Sequence, residues 1–226
     1  MRQLPLGIRL QDRAVFASYL AGANVAAMAA ARQVAALQGE VMYLHGVAGT
    51  GKSHLLQAIC AAVPGSAYLP LKQLLHHGPD VLDGAAQLPV VAVDDLQSVA
   101  GDAAWELKLF GLYNDCQSNG ARLAVAASVP ALHLGVQLPD LCSRLAAMPQ
   151  FALRPLDEGQ QREALRLRAA QRGIDLPEET ILYLQRRFAR DMGRLHELLD
   201  RLDLASLQLQ RRLTVPFIRE ILGEQP

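Results

Sequence analysis

The sequence has few aromatic residues, only three cysteines and no excess of charge of either sign. Aromatic residues make up 5% of the 226 residues, and 22 lysines and arginines balance 22 aspartates and glutamates. Balanced charge argues against the strongly basic surface of many nucleic-acid-binding domains, although a whole-chain balance does not exclude a local basic patch. Cys60, Cys116 and Cys142 lie far apart without CxxC spacing, so we expect buried, reduced thiols rather than a metal site.

The sequence also lacks a long hydrophobic run. Pro5, Gly7 and Arg9 interrupt the apolar stretch near the first residue, which argues against a signal peptide. The alanine-rich segment from Ala17 to Ala31 contains a glycine and an asparagine and is too weakly hydrophobic to cross a bilayer. We therefore expect a cytoplasmic protein without membrane contact.

Short apolar runs alternate with helical segments over the first two thirds of the chain. Strands are predicted at EVMYLHG, SAYLPL, LPVVAVDD, ARLAVAAS and QFALRPL, with helices between most of them. This alternation is typical of an α/β fold in which helices cover both faces of a parallel sheet. After Pro155 the patterns are only helical, so we place a domain boundary near Arg154 to Leu156, with a small all-helical domain behind it.

The clearest chemical signal is GVAGTGKS, which fits the phosphate loop G-x-x-x-x-G-K-[ST] and has a predicted strand before it and a helix after it. The glycines let the backbone curl so that its N–H groups point at phosphate oxygens. Lys52 would reach the β- and γ-phosphates, and Ser53 would ligate Mg²⁺. A chance glycine-rich turn is the alternative, but the flanking elements favour the loop. The predicted nucleotide-binding residues are Gly46, Gly49, Thr50, Gly51, Lys52 and Ser53.

Two acidic residues, Asp94 and Asp95, follow the apolar residues VVAV. In a phosphate-loop protein, Asp94 would hold the Mg²⁺ shell and Asp95 would orient the attacking water. An aspartate pair after an apolar run is more often a strand that ends in solvent. The phosphate loop roughly forty residues earlier favours the functional interpretation.

Beyond the phosphate loop and the aspartate pair, six segments carry a recognisable pattern: GTGKSHLLQAI, FASYLAGAN, AGDAAWELKLFGLYNDCQ, LPDLCSRL, RDMGRLHELLDRLDLAS and RRLTVPFIREIL. They resemble AAA+ ATPases of the DnaA branch and, more closely, the Hda family of regulatory inactivators of DnaA. The similarity runs from Gln3 to Leu222. It implies a clamp-binding peptide over residues 1–12, an AAA+ P-loop NTPase domain over 13–154 and a helical lid over 155–226.

The resemblance assigns further roles position by position. Ser128 occupies the sensor-1 place, where a polar side chain contacts the γ-phosphate or the attacking water; a serine that ends a strand fits equally well. Arg144, in LPDLCSRL, matches the arginine finger that enters the nucleotide site of a neighbouring subunit. The alternative for Arg144 is a surface arginine in a short helix. Leu20 and Ala21 lie in the stretch that resembles the family's adenine contacts.

The sequence departs from the family pattern at two places. Asp95 stands where most AAA+ proteins have glutamate, which puts the carboxylate one methylene farther from the water and predicts slow intrinsic turnover. Gly193 occupies the slot of the sensor-2 arginine, and Arg194 is its neighbour. A shift of one position turns a side chain by about 100° around a helix, so Arg194 would point in a different direction from the family's arginine. The sequence therefore decides neither the sensor-2 role of Arg194 nor whether the chain hydrolyses ATP itself.

The resemblance implies a negative regulator of replication initiation that binds ADP or ATP with Mg²⁺. With the β sliding clamp of DNA polymerase III, it would make the initiator DnaA hydrolyse ATP, with Arg144 supplied in trans. The resemblance ends at Leu222 and no helix-turn-helix follows, so DNA is expected only indirectly through partners. The sequence does not decide whether the chain forms a homodimer. The alternative function is an autonomous ATPase of the helicase-loader type, and a P-loop kinase fits the sequence less well.

The segment QLPLGI near the first residue resembles the short clamp-binding motifs of replication proteins. Its proline and glycine suit an extended docking peptide better than a helix or a sheet. A terminal strand packed on the protein's own core is the alternative. The clamp-binding residues that the resemblance implies are Gln3, Leu4, Leu6 and Ile8.

Deleting Met1 to Ile8 should abolish binding to the β clamp while leaving folding and ADP binding intact. Burying two aliphatic side chains contributes roughly 3–6 kcal/mol before ordering costs, enough for a reversible grip. Binding to immobilised clamp and circular dichroism measure the two effects. A truncated protein that unfolds, or one that binds the clamp with full affinity, would contradict the tether interpretation.

Overall fold

The computed structural model describes residues 14–171, 173–174, 176–188, 198, 202, 205 and 213–222. Contacts divide the chain into two compact units after Arg154, and Ala48–Thr50 group with the carboxyl-terminal unit. Among the residues that the structure describes, no helix is both long and apolar enough to span a bilayer.

Five parallel strands form the sheet of the amino-terminal unit. They are β1 (Val41–His45), β2 (Ala67–Pro70), β3 (Val90–Asp94), β4 (Arg122–Ala127) and β5 (Gln150–Ala152). Their order is β2-β3-β4-β1-β5. His45 of β1 pairs with Ala127 of β4, and Val93 of β3 pairs with Val125. The parallel sheet predicted from the alternation is confirmed, and the chain leaves β1, β4 and β3 at one edge.

Helices cover both faces of this sheet. They are α1 (Val25–Ala35), α2 (Lys52–Ala62), α3 (Leu71–Leu74), α4 (Ala103–Asn119) and α5 (Pro139–Ala147). Two core clusters separate the faces: α1 and α2 pack with Val90 and Ala92 of β3, whereas α4 and α5 pack with Val91 and Val93. Every residue of β3 is buried, because a central parallel strand loses both faces to the core.

The prediction of buried thiols is confirmed for Cys60 and Cys116 but is wrong for Cys142, which is only half-buried. On α5 the buried residues are Leu141 and Leu145. Residues four apart share one helix face, so Cys142 lies beside the stripe that enters the core.

The carboxyl-terminal unit is helical where it is described, with α6 (Glu158–Gln171), α7 (Glu178–Phe188) and α8 (Val215–Leu222). Asp157 caps α6: its Oδ1 accepts the Gln160 N–H at 2.8 Å, and the Gln160 Oε1 accepts the Asp157 N–H at 3.1 Å. This reciprocal pair satisfies two N–H groups at the helix start. Most of the segment RLHELLDRLDLASLQ lies outside the described residues.

Glu106 of α4 is a buried carboxylate that joins two loops. It is 1% exposed. Its Oε1 accepts the Gly101 N–H at 2.7 Å, and its Oε2 accepts the Leu138 N–H at 2.7 Å. The Gln137 N–H lies 3.0 Å from both oxygens. The carboxylate therefore ties the loop that follows β3 to the loop that begins α5.

Replacing Glu106 with alanine should lower the free energy of unfolding by about 3 kcal/mol, because three backbone N–H groups lose a charged acceptor. Urea titration measures the free energy of unfolding, and it can be followed by the fluorescence of Trp105, the only tryptophan, which is the neighbour of Glu106 in the sequence. Asp115→Ala, which removes an exposed carboxylate of the same helix, is the control and should change little. A Glu106→Ala variant within about 1 kcal/mol of wild type would show that the two loops do not need this carboxylate.

Candidate functional site

The predicted phosphate loop connects the end of β1 to the start of α2. Gly46, Gly49 and Gly51 have φ of 151°, 78° and 92°, values that side chains disfavour. A Cβ at Gly51 would also lie 2.8 Å from Cε2 of Tyr19. Position 51 therefore requires glycine on two grounds, backbone conformation and space.

Lys52, the first residue of α2, folds back onto this loop. Its Nζ donates to the carbonyl oxygens of Gly46 at 2.6 Å and Val47 at 2.9 Å. Burial lowers the pKa of Lys52, and the nearby Asp94 and Asp95 carboxylates partly offset that effect. The ammonium group thus lies at the loop and donates to neutral carbonyl oxygens, a setting in which an anion would be a stronger partner.

Asp94 ends β3 and is 1% exposed. Its Oδ2 accepts the Tyr68 hydroxyl at 2.7 Å, and its Oδ1 accepts the Asp95 N–H at 2.9 Å. Burial raises the pKa of Asp94, while hydrogen bonds from the Ser53 and Tyr68 hydroxyls act against this rise. The structure therefore brings together Ser53 and Asp94, the two residues predicted to face Mg²⁺.

Asp95 has a left-handed backbone with φ of 57°, and the Ser98 hydroxyl donates to its carbonyl oxygen. Its Oδ1 accepts the Gln97 Nε2–H at 2.9 Å, while the Gln97 Oε1 accepts the Ser128 N–H at 3.0 Å. A non-glycine residue with positive φ is uncommon, and such conformations cluster at functional sites. Gln97, which the sequence analysis missed, thus connects the predicted water-orienting carboxylate to the predicted sensor-1 residue.

Ser128 follows β4 directly, and its side chain is exposed. Because β4 lies between β1 and β3, Ser128 follows the strand between the glycine loop and Asp94. The structure therefore gathers the loop, both aspartates and Ser128 at one edge of the sheet.

The segment with Leu20 and Ala21 is attached to α2 through His54. The His54 Nε2 lies 3.1 Å from the Ser18 Oγ and 3.0 Å from the Val15 carbonyl oxygen. Leu20 and Ala21 themselves are half-buried. His54 was also missed from the sequence, although its position directly after Ser53 marks it as a neighbour of the loop.

Arg144 lies elsewhere, on α5, which packs on the sheet face opposite α2. The side chain is exposed, and its guanidinium carbon lies 5.7 Å from the centre of the Tyr113 ring. Such cation–π contact orients a guanidinium while leaving its N–H groups open to other acceptors. Arg144 is thus not among the residues that converge on the loop of its own chain.

Two groups of predicted site residues lie outside the part of the chain that the structure describes. One is the sensor-2 slot, Gly193 and Arg194. The other is the predicted clamp-binding peptide, Gln3, Leu4, Leu6 and Ile8.

Three family models match segments of the chain. The Hda lid domain matches residues 157–222, and the bacterial DnaA ATPase domain matches residues 10–68. A model described as RNA helicase matches residues 42–126, from β1 into β4.

Solved structures share the fold. Domain III of the replication initiation protein DnaA from Thermotoga maritima superposes with a TM-score of 0.77 at 21% identity, covering 96% of this chain and 98% of that one. AMPPCP-bound DnaA from Aquifex aeolicus gives a TM-score of 0.67 at 18% identity, covering 89% of this chain and 68% of that one. The lid and ATPase-domain matches, with this fold, identify the chain as an AAA+ protein related to DnaA and Hda.

Proposed function

We propose that this chain binds an adenine nucleotide and is a negative regulator of replication initiation. Together with the β sliding clamp, it stimulates ATP hydrolysis by DnaA. The Hda lid match over residues 157–222 supports the regulatory role. The observation that carries the proposal is the exposed Arg144 guanidinium on α5, on the sheet face opposite α2, where it is open to a neighbouring subunit.

The glycine loop and the start of α2 bind the nucleotide phosphates. The loop N–H groups and the positive end of the helix favour an anion at this position. Lys52 exchanges its carbonyl acceptors, Gly46 and Val47, for phosphate oxygens. This exchange replaces neutral hydrogen bonds with charge-assisted ones, which are about twice as strong. The likeness to a DnaA structure that holds AMPPCP also supports an adenine nucleotide.

Ser53 and Asp94 fit a magnesium ion that is shared with the nucleotide. Mg²⁺ takes hard oxygen ligands and is usually held by one or two protein groups together with waters and phosphates. The Ser53 hydroxyl and the Asp94 carboxylate supply such oxygens at one place. When bound, the ion neutralises charge on the phosphate oxygens.

The chain's own hydrolysis is expected to be slow. One oxygen of Asp95 is already engaged by the Gln97 amide, which leaves less of the carboxylate to orient a water molecule. A carboxylate on the shorter aspartate side chain is also farther from that water than a glutamate carboxylate. The nucleotide bound to this chain therefore has a structural role, in which it stabilises one conformation of the regulator. The hydrolysis that is accelerated is that of the ATP bound to DnaA.

An autonomous ATPase is the second candidate function. It is favoured by the presence of Lys52, Asp94, Asp95 and Ser128 at one edge of the sheet, since these residue types are those that phosphate-loop ATPases use. The two candidates differ in whose ATP is hydrolysed and in whether Arg144 is needed.

Replacing Arg144 with alanine should abolish stimulation of DnaA ATP hydrolysis, because an arginine finger supplied in trans is worth about 10³–10⁵ in rate where the chemistry depends on it. Phosphate release is measured with ATP-loaded DnaA, clamp-loaded DNA and an excess of each variant. ADP binding and clamp binding should match wild type.

Two variants control for general effects. Arg144→Lys keeps the charge but loses the bidentate geometry and should recover little activity. Arg186→Ala removes an exposed arginine of α7 and should stimulate as wild type does. Full stimulation by Arg144→Ala would place the active arginine elsewhere or favour the autonomous ATPase.

A further inference from the structure

Tyr68 of β2 is a half-buried tyrosine whose hydroxyl lies at the proposed magnesium site. The hydroxyl donates to the Asp94 Oδ2 at 2.7 Å. The side chains of Ser53 and Gln57 also lie close to this hydroxyl. Gln57 is 8% exposed and lies one turn after Ser53 on α2. A single hydroxyl thus lies between the two oxygen groups that would face the ion.

The backbone keeps this hydroxyl in place. Tyr68 pairs with Ala92 in the register of β2 and β3, so its side chain leaves the sheet two residues before Asp94 on the neighbouring strand. Its ring packs against the core cluster beneath α2, which contains Met42 and Leu44. The ring is therefore fixed by packing, and the position of the hydroxyl follows from it.

The Asp94 carboxylate is restrained at both oxygens. The Asp95 N–H donates to Oδ1, and the Tyr68 hydroxyl donates to Oδ2. The first donor is local backbone and belongs to the turn after β3, whereas the second comes from another strand. Rotation of the carboxylate out of its present plane would break the second contact. Tyr68 thus fixes the orientation of the Asp94 carboxylate plane, which the turn after β3 alone does not fix.

We infer that Tyr68 is a positioning residue for magnesium, which holds the Asp94 carboxylate beside the Ser53 hydroxyl in the arrangement that receives the ion. This inference rests on the proposed nucleotide and magnesium site. Groups that hydrogen-bond to metal ligands orient those ligands, and their loss typically costs 10- to 100-fold in metal affinity. Tyr68 makes no contact with the ion in this role; it acts through Asp94.

The test compares Tyr68→Phe with wild type in ADP titrations by calorimetry, in EDTA and over a series of Mg²⁺ concentrations. The Mg²⁺ concentration that gives half of the metal-dependent gain in ADP affinity should rise about tenfold or more. ADP affinity in EDTA should stay within about twofold of wild type, because the loop and Lys52 are unchanged. Phenylalanine keeps the ring, so its packing is preserved, and thermal unfolding of each variant verifies this.

Tyr43→Phe is the matched control. Tyr43 is also a strand tyrosine, in this case fully buried, and its hydroxyl donates to the Val129 carbonyl oxygen at 3.0 Å. It packs in the cluster on the opposite face of the sheet, with α4 and α5. Tyr43→Phe deletes one buried hydroxyl and one hydrogen bond and leaves Asp94 and Ser53 unchanged. The Mg²⁺ dependence of ADP affinity in this variant should equal that of wild type.

Three results would overturn the inference. In the first, Tyr68→Phe has the same Mg²⁺ midpoint as wild type and Tyr43→Phe. In the second, Tyr68→Phe loses equal ADP affinity with and without Mg²⁺, which would assign the hydroxyl to the loop rather than to the ion. In the third, wild type itself shows no metal-dependent gain, which would remove the proposed magnesium site together with the role of Tyr68.

Discussion

The position of β4 between β1 and β3 is the constraint on which the site depends. It makes neighbours of three strand ends that are tens of residues apart in sequence: His45 before the glycine loop, Ala127 before Ser128, and Asp94. Ladder hydrogen bonds hold the three strands in register, and core clusters on both faces bury them. The carboxyl ends of parallel strands in open α/β sheets are where ligands bind. Here that edge carries the residue types for phosphates and a metal ion.

Burial disfavours the charges at this edge, and the neighbouring groups compensate for it only in part before any ligand arrives. Burial disfavours the charged forms of both Lys52 and Asp94, and the Asp94 and Asp95 carboxylates favour the charged form of Lys52. Backbone carbonyls accept from the Lys52 ammonium, and the Tyr68 hydroxyl and the Asp95 N–H donate to the Asp94 carboxylate. Such a site holds its charges in fixed positions, which reduces the reorganisation that binding a phosphate would require.

The features predicted from sequence are those with a local signature. The loop GVAGTGKS, the aspartates after VVAV and the alternation of strands and helices each occupy a continuous stretch, and the structure confirms the parallel sheet. Tyr68, Gln97 and Glu106 have no such signature, because each has a partner 26 to 32 residues away that its role requires. Their roles depend on strand order and on the path of loops, which spacing alone does not specify. The burial of Cys142 was predicted wrongly for a related reason. Residue type alone does not specify whether a residue lies on the buried or the exposed side of its helix.

The central claim is that this chain, carrying ADP, accelerates hydrolysis of the ATP bound to DnaA. The most direct measurement is a single-turnover assay in which DnaA is preloaded with γ-labelled ATP and then mixed with this chain in its ADP form, with clamp-loaded DNA present. The claim predicts faster release of labelled phosphate from DnaA while the ADP on this chain stays bound. No acceleration by the ADP form, with turnover only of ATP bound to this chain, would contradict it.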